Sequence, residues 1–247
     1  MPTINYEEIS QLALDFRNQC FLNAYDAIDC EKLLLKLNVL TVFRPLSGAF
    51  SGMCERKRNR YFMLINSEQV LARQHFTIAH ELYHLFVQQE FKVYLCNPGV
   101  QTKDVEETKA DVFAANFLLP ELGIKQMIPI AELKTGITLP TLFKLESYFS
   151  VSHAALLNRL KDLKLLTNRE KEAYSTISVI QLAKTYGFDT KLYEKGNNEN
   201  LVIGDYAVLA REKFEQDKIS EGHYIELLNA IGIHLPAYNN EENQNSY

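Results

Sequence analysis

One stretch of this 247-residue chain limits its possible folds more than any other. Between residues 76 and 87, apolar side chains occupy nearly every side of a predicted helix, which indicates that the helix is buried. The same stretch contains His80 and Glu81 followed by His84, the pattern H-E-x-x-H. Because two histidines and a carboxylate are costly to bury without a shared partner, the pattern predicts a metal ion between them.

The spacing of this motif suits a zinc site. Residues four apart on a helix share one face, so His80 and His84 can reach the same ion, and neutral imidazole is a good zinc ligand. Glu81 lies about 100° around the helix from His80, beside the metal rather than on it. There it can act as the base that takes a proton from an attacking water. We therefore predict one Zn²⁺ per chain, although Mn²⁺ or Fe²⁺ also suits two histidines and one carboxylate.

A third ligand is expected downstream, because catalytic zinc sites usually have three protein ligands and one open position. The predicted helix 104–119 carries Glu107 and, one turn later, Asp111. We predict Glu107 as the ligand and Asp111 as the acceptor of a hydrogen bond from the outer nitrogen of a ligand histidine. Glu106 and Asp104 remain rival ligands, and acids at a helix start can also serve the helix dipole alone. The sequence offers no evident fourth ligand, which favours an open, catalytic site.

The rest of the pattern predicts an α+β chain that is mostly helical. Short β-prone runs at 39–43 and 61–65, each ended by turn residues, predict a small antiparallel sheet. Apolar periodicity predicts helices at 5–22, 30–37, 69–90, 104–119, 121–128, 138–149, 152–163, 176–186, 201–217 and 220–231.

Composition excludes several classes of protein. The net charge of -5 gives no sign of a nucleic-acid partner. No run of about 18 apolar residues predicts a membrane span, and the N-terminus lacks the pattern of a secretory signal. The four cysteines form no Cys-x-x-Cys pair and are expected to be buried thiols in a reducing cytoplasm.

A second local pattern lies downstream of the predicted metal site. Residues 139–166 predict two helices joined by a short turn at 150–152, an arrangement similar to a helix-turn-helix, with several lysines and arginines nearby. Acidic residues are interleaved with the basic ones. A helical cap or a partner-docking surface is therefore the simpler interpretation, and direct DNA binding stays an alternative.

With these two motifs, the sequence resembles the ImmA/IrrE metallopeptidases. The resemblance rests on two helical motifs, extends over roughly residues 25–166, and is supported by a short strand at 62–66 and by Phe50-Ser51-Gly52 before it. The motifs are Gln74-x-Phe76-Thr77-x-Ala79-His80-Glu81-Leu82-x-His84 and Glu107-x-x-Ala110-Asp111-x-Phe113-Ala114-Ala115-x-x-Leu118-x-Pro120.

The resemblance implies a gluzincin-like, zincin-type fold with His80, His84 and Glu107 as zinc ligands and Glu81 as the base. We accordingly expect a zincin-like metallopeptidase domain over 1–135, a helix-turn-helix-like cap over 136–168, a helical extension over 169–238 and a disordered tail over 239–247. The family's architecture also implies that the strand at 61–65 holds an extended substrate at a sheet edge.

The implied function is that of a cytoplasmic zinc endopeptidase. Family members commonly cleave or otherwise inactivate a helix-turn-helix repressor, which derepresses stress or mobile-element genes, so the expected partner is a repressor. The alternative is a DNA-binding or repressor-binding regulatory protein with a non-catalytic metal site. A donor for the tetrahedral oxyanion is expected in the enzyme, but the sequence does not identify it among 13 tyrosines and His153.

The chain departs from the family pattern at three positions. Tyr83 stands where glycine is common and needs more room where the two helices cross. His75 stands where arginine is frequent, and it lies roughly 140° from His80, which makes it a poor ligand. Asp111 stands where asparagine is often found. The remaining histidines, at 153, 223 and 234, are expected to be helix-surface or capping residues.

Overall fold

The computed structural model describes residues 4–47, 50–58, 60–89, 95–96 and 105–234, with only the backbone of 95–96. The predicted tail at 239–247 and the rival ligand Asp104 lie outside these residues.

The sheet has five strands in the order β4-β2-β3-β1-β5. Their bounds are β1 Val39–Arg44, β2 Gly52–Lys57, β3 Arg60–Asn66, β4 Leu95–Cys96 and β5 Val202–Ile203. β2 and β3 form an antiparallel hairpin, and β1 lies against β3 in parallel. The sheet is therefore mixed rather than purely antiparallel. The reason is topological: β1 runs antiparallel to β2, and β3 is inserted between them.

The position of β3 corrects one expectation. β3 pairs with β1 on one side and with β2 on the other, so it is not an edge that could accept a substrate strand. β2 was not predicted at all, because its charged second half reads as a loop. Its pairing with β3 makes it a strand.

The helices confirm the mostly helical α+β class. They are α1 Tyr6–Gln19, α2 Cys30–Lys36, α3 Leu71–Leu82, α4 Val105–Leu118, α5 Glu121–Met127, α6 Glu132–Thr135, α7 Leu139–Phe149, α8 His153–Asp162, α9 Asn168–Ser175, α10 Val179–Thr185, α11 Tyr206–Glu215 and α12 Glu221–Asn229. Asn5 and Asp29 cap α1 and α2 with their side chains. α9 was missed, although Thr167 and Glu170 form a capping box that marks its start.

The predicted helix 69–90 is two pieces. α3 ends at Leu82, and the chain continues as a π-helical turn over Tyr83–Val87. The backbone N–H of Gln88 bonds to the carbonyl of Tyr83, five residues earlier. This wider turn carries the second histidine of the motif, and π turns often occur at functional sites.

The C-terminal helices are tied to the sheet, because β5 comes from the segment between α10 and α11 and pairs with β1. The segment boundaries at 135 and 168 stay predictions. Cys20 and Cys30 are buried free thiols, and Cys54 is also buried. Among the described residues, no helix is both long and apolar enough to cross a membrane.

Candidate metal centre

Three residues of the H-E-x-x-H motif lie in the interior. The exposed fractions are 3% for His80, 1% for Glu81 and 0% for His84. α3 packs against β2 and β3 on one side and against α4 on the other, so the polar face of the motif meets α4 rather than water. A buried polar face of this kind requires partners.

α4 supplies a carboxylate to the two imidazoles. Nε2 of His80 lies 3.2 Å from Nε2 of His84 and 3.2 Å from Oε2 of Glu107. Nε2 of His84 lies 3.4 Å from Oε1 of Glu107. The structure thus brings together the three side chains predicted as ligands, with their coordinating atoms within 4.8 Å of one another.

The outer ring nitrogens face oxygen acceptors. Nδ1 of His80 lies 2.9 Å from Oδ1 of Asp111, and Nδ1 of His84 lies 2.7 Å from Oε1 of Gln88. A carboxylate or amide oxygen accepts a hydrogen bond, so each Nδ1 carries the proton and each neutral ring presents a lone pair at Nε2. Two lone pairs and a carboxylate then face one another, an arrangement that a cation stabilises.

The separations match those of a metal site. In a tetrahedral centre with bonds of about 2.0–2.1 Å, neighbouring ligand atoms lie about 3.3–3.4 Å apart. The three distances among His80, His84 and Glu107 are 3.2, 3.2 and 3.4 Å. Oε1 of Glu107 is also buried without a hydrogen bond in the described part of the chain. The residues present therefore fit a divalent metal.

Glu107 is an ionised carboxylate. Burial alone raises its pKa, but the contacts with His80 and His84 outweigh burial and bring the pKa to about 2. A positive charge held among these atoms, proton or metal ion, favours the ionised form.

Of the two rivals for the third ligand position, only Glu106 can be compared. One oxygen of Glu106 accepts a hydrogen bond of 2.8 Å from the Tyr83 hydroxyl, and the other lies 2.6 Å from Nζ of Lys109. Its carboxylate is thus bound by other groups, whereas Glu107 faces the histidines. Asp104 lies outside the described residues.

Glu81 is placed beside the three converging atoms and differs from them in its bonding. Among the described residues, neither of its carboxylate oxygens has a hydrogen bond of ordinary geometry. Burial raises the pKa of Glu81, while the charges of His80 and His84 and the weak donor Cys54 act in the opposite direction. A buried carboxylate with a raised pKa is suited to accept and return a proton.

Two contacts at the centre were not predicted. Gln88 accepts a hydrogen bond from the ring of His84, as Asp111 does from the ring of His80. The spacing of four residues between His84 and Gln88 was the sequence feature that could have predicted this contact. Tyr83 is 3% exposed and finds its room at the helix crossing by packing against Phe113, with ring centroids 5.5 Å apart.

The other histidines lie apart from the centre. Nδ1 of His75 bonds to the backbone carbonyl of Ser150, and His223 and His234 are exposed as expected. His153 corrects the expectation of a surface residue. It is 8% exposed, with Nδ1 2.6 Å from Oε1 of Glu146 and Nε2 3.0 Å from the carbonyl of Tyr174. The interhelical packing of α7, α8 and α9 encloses this ring, which the sequence pattern alone could not show.

Comparison with known proteins agrees with this geometry. A family model described as the IrrE N-terminal-like domain matches residues 35–161, more than half of the chain. The chain belongs to this family. The resemblance to ImmA/IrrE proteins seen in the two helical motifs is thereby confirmed. The family region contains α3, the π turn and α4, and ends within α8.

A curated relative is the metallopeptidase ImmA of Bacillus subtilis (strain 168). It is 29% identical over 110 residues, which cover 43% of this chain and 60% of the relative. The chain therefore matches about 60% of the length of this relative. A metallopeptidase family implies a metal, and His80, His84 and Glu107 are the group in the described structure that could hold it.

Proposed function

We propose that the chain is a cytoplasmic zinc-dependent endopeptidase that hydrolyses a peptide bond in a regulatory protein. In this proposal His80, His84 and Glu107 hold one zinc ion, and Glu81 is the catalytic base. The observation that carries it is the convergence of three candidate ligand atoms at 3.2–3.4 Å beside the buried carboxylate of Glu81.

Each side chain has a distinct task. Asp111 and Gln88 hold the protons on the outer nitrogens of the histidines, which keeps both inner nitrogens available as ligands. Zinc at this position supplies Lewis acidity toward the scissile carbonyl and lowers the pKa of water. Glu81 accepts a proton from the attacking water and then delivers it to the nitrogen of the leaving amine.

The proposed substrate is a helix-turn-helix repressor. This substrate is proposed because the chain belongs to the family and a relative is named as a metallopeptidase, and because the family resemblance implies a role in derepression. Zinc is proposed over manganese and iron because the donor set and spacing suit a small tetrahedral site.

The test is digestion of the helix-turn-helix repressor encoded nearest to this gene by the zinc-loaded protein, with new termini identified by mass spectrometry. We expect one or a few defined cuts by the wild type. Glu81→Gln keeps the size of the side chain and removes the base, so it should retain zinc and lose cleavage by at least about 100-fold.

One control variant and one contrary outcome make the result decisive. His75→Gln alters a histidine of the same helix that is not a proposed ligand and should leave cleavage unchanged. If the repressor is bound and released intact, and Glu81→Gln is as active as the wild type in derepression, the protein is a repressor-binding protein and not an endopeptidase.

A further inference from the structure

A cleft of about 870 Å³ lies on the face of the sheet opposite α3. Side chains alternate between the two faces along a strand. In β2, a Cβ on Gly52 would lie 2.6 Å from Cγ2 of Thr77 in α3. Position 52 therefore faces α3, and so does every second residue of β2 after it. Glu55 and Lys57 therefore face away from α3, and both line the cleft.

The floor and the opposite wall of the cleft are apolar. Leu40 of β1 and Phe62 of β3 are paired neighbours in the sheet and are half-buried. Leu209 of α11 lines the other side. The approach of α11 is set by Gly204, at which a Cβ would lie 3.3 Å from Leu40. The start of α11 thus forms one wall of an open cleft on this face of the sheet.

One end of the cleft is cationic. Lys57 lies directly opposite Arg60 in the β2–β3 hairpin, and Arg58 occupies the turn between them with a φ of 55°. All three are exposed, and none forms an ion pair or a side-chain hydrogen bond with the part of the chain that the structure describes. Like charges directly opposite on a sheet destabilise it, so this arrangement lacks an internal stability benefit.

The cleft is also lined by two acidic side chains, Glu55 of β2 and Asp205 just before α11. A ligand that fits this distribution has an anionic group at one end and an apolar body, and it can have a hydrogen-bond donor along its length. A volume near 870 Å³ suits a small molecule rather than a folded partner.

We propose that this cleft is a binding site for a small organic anion. The anionic group lies between Lys57 and Arg60, where the two side chains can donate charge-assisted hydrogen bonds. The apolar body rests on Leu40, Phe62 and Leu209. The site is separate from the metal centre, and its occupancy does not depend on the proposed peptidase activity.

The probe for the test is 8-anilinonaphthalene-1-sulfonate, which joins a sulfonate to an apolar aromatic body and becomes fluorescent when bound. We expect saturable binding to the wild type at one site per chain. Lys57→Gln with Arg60→Gln should weaken binding at least about tenfold, because two charge-assisted hydrogen bonds are lost. Leu209→Trp should weaken it similarly by filling the cleft.

A matched control removes the same charge elsewhere. Lys161→Gln with Lys171→Gln lies in a different surface cleft, near α8 and α9, and should change the affinity less than twofold. The proposal is overturned if the wild type shows no saturable binding, if the two double variants weaken binding equally, or if Leu209→Trp binds as the wild type does. Circular dichroism of each variant checks that the fold is retained.

Discussion

Two buried clusters in this chain combine histidine with carboxylate and differ in where their protons lie. At the metal centre, the outer nitrogens of His80 and His84 donate to oxygens, so the inner nitrogens present lone pairs to Glu107. At the second cluster, both nitrogens of His153 face oxygens, Oε1 of Glu146 and a backbone carbonyl. The first arrangement suits an added cation, whereas in the second the Glu146 carboxylate and a backbone carbonyl already occupy both ring nitrogens.

The second cluster is complete without any added group. Glu146 is 0% exposed, and its other oxygen accepts a hydrogen bond from the Tyr193 hydroxyl. Burial lowers the pKa of His153, but the hydrogen bond and charge of Glu146 outweigh it, so the net pKa is raised. Residue type therefore does not separate a reactive site from a structural one, whereas the directions of the hydrogen bonds do separate them.

The largest expected effect is loss of the metal. His84→Ala and Glu107→Ala each remove one of the three proposed ligands, so metal content after dialysis should fall from about one ion per chain to near zero. Elemental analysis measures it. His75→Ala is the control, because His75 bonds to a backbone carbonyl instead. Full retention of metal by Glu107→Ala would remove Glu107 from the ligand set.

The second largest effect falls on stability. Glu146→Gln leaves His153 buried without its counter-charge and should lower the free energy of unfolding by about 3–5 kcal/mol. Urea denaturation measures it, and metal content should not change. Glu172→Gln, an exposed position on α9, should stay within about 0.5 kcal/mol of the wild type. A similar small loss for Glu146→Gln would mean that the buried pair contributes no more than a surface acid.

A smaller effect is expected from the groups behind the ligands. Asp111→Ala removes the acceptor for His80 and should weaken metal binding by about 10–100-fold, as should Gln88→Ala for His84. Competition with a chelator of known affinity measures it. Asp111→Asn keeps an acceptor oxygen and should retain most of the affinity. Equal losses in the alanine and asparagine variants would show that charge, not hydrogen bonding, is the contribution of Asp111.

The smallest effect is on the pH dependence of stability. The folded pKa of His153 is raised, so its contribution is fully present below the unfolded pKa of about 6.5 and is lost as the pH rises through the folded pKa. Denaturation of the wild type and Glu146→Gln between pH about 6 and 9 tests this. The stability difference between them should shrink as the pH rises, and parallel curves would contradict the assignment.

Much of the local structure could be predicted because it depends on neighbours in sequence. The helices carrying His80 and Glu107, the N-cap Asp29 and the strand at 61–65 all follow from periodicity and capping patterns. The pairing of the strands could not be predicted from the sequence. The parallel contact of β1 with β3 joins residues about 20 apart, and no local pattern specifies which edge a strand meets.

By itself, the sequence predicted a metal site in this protein. Two histidines one turn apart on a buried helix need polar partners, because burying polar groups without them is costly, and their H-E-x-x-H spacing is typical of a shared metal ion. Only the tertiary structure decided which acid faces them, since Glu106 and Glu107 are adjacent and their roles depend on the angle at which α4 crosses α3. It also decided that His153 is structural and that α11 lines a cleft on the sheet, because both depend on contacts between segments distant in the chain.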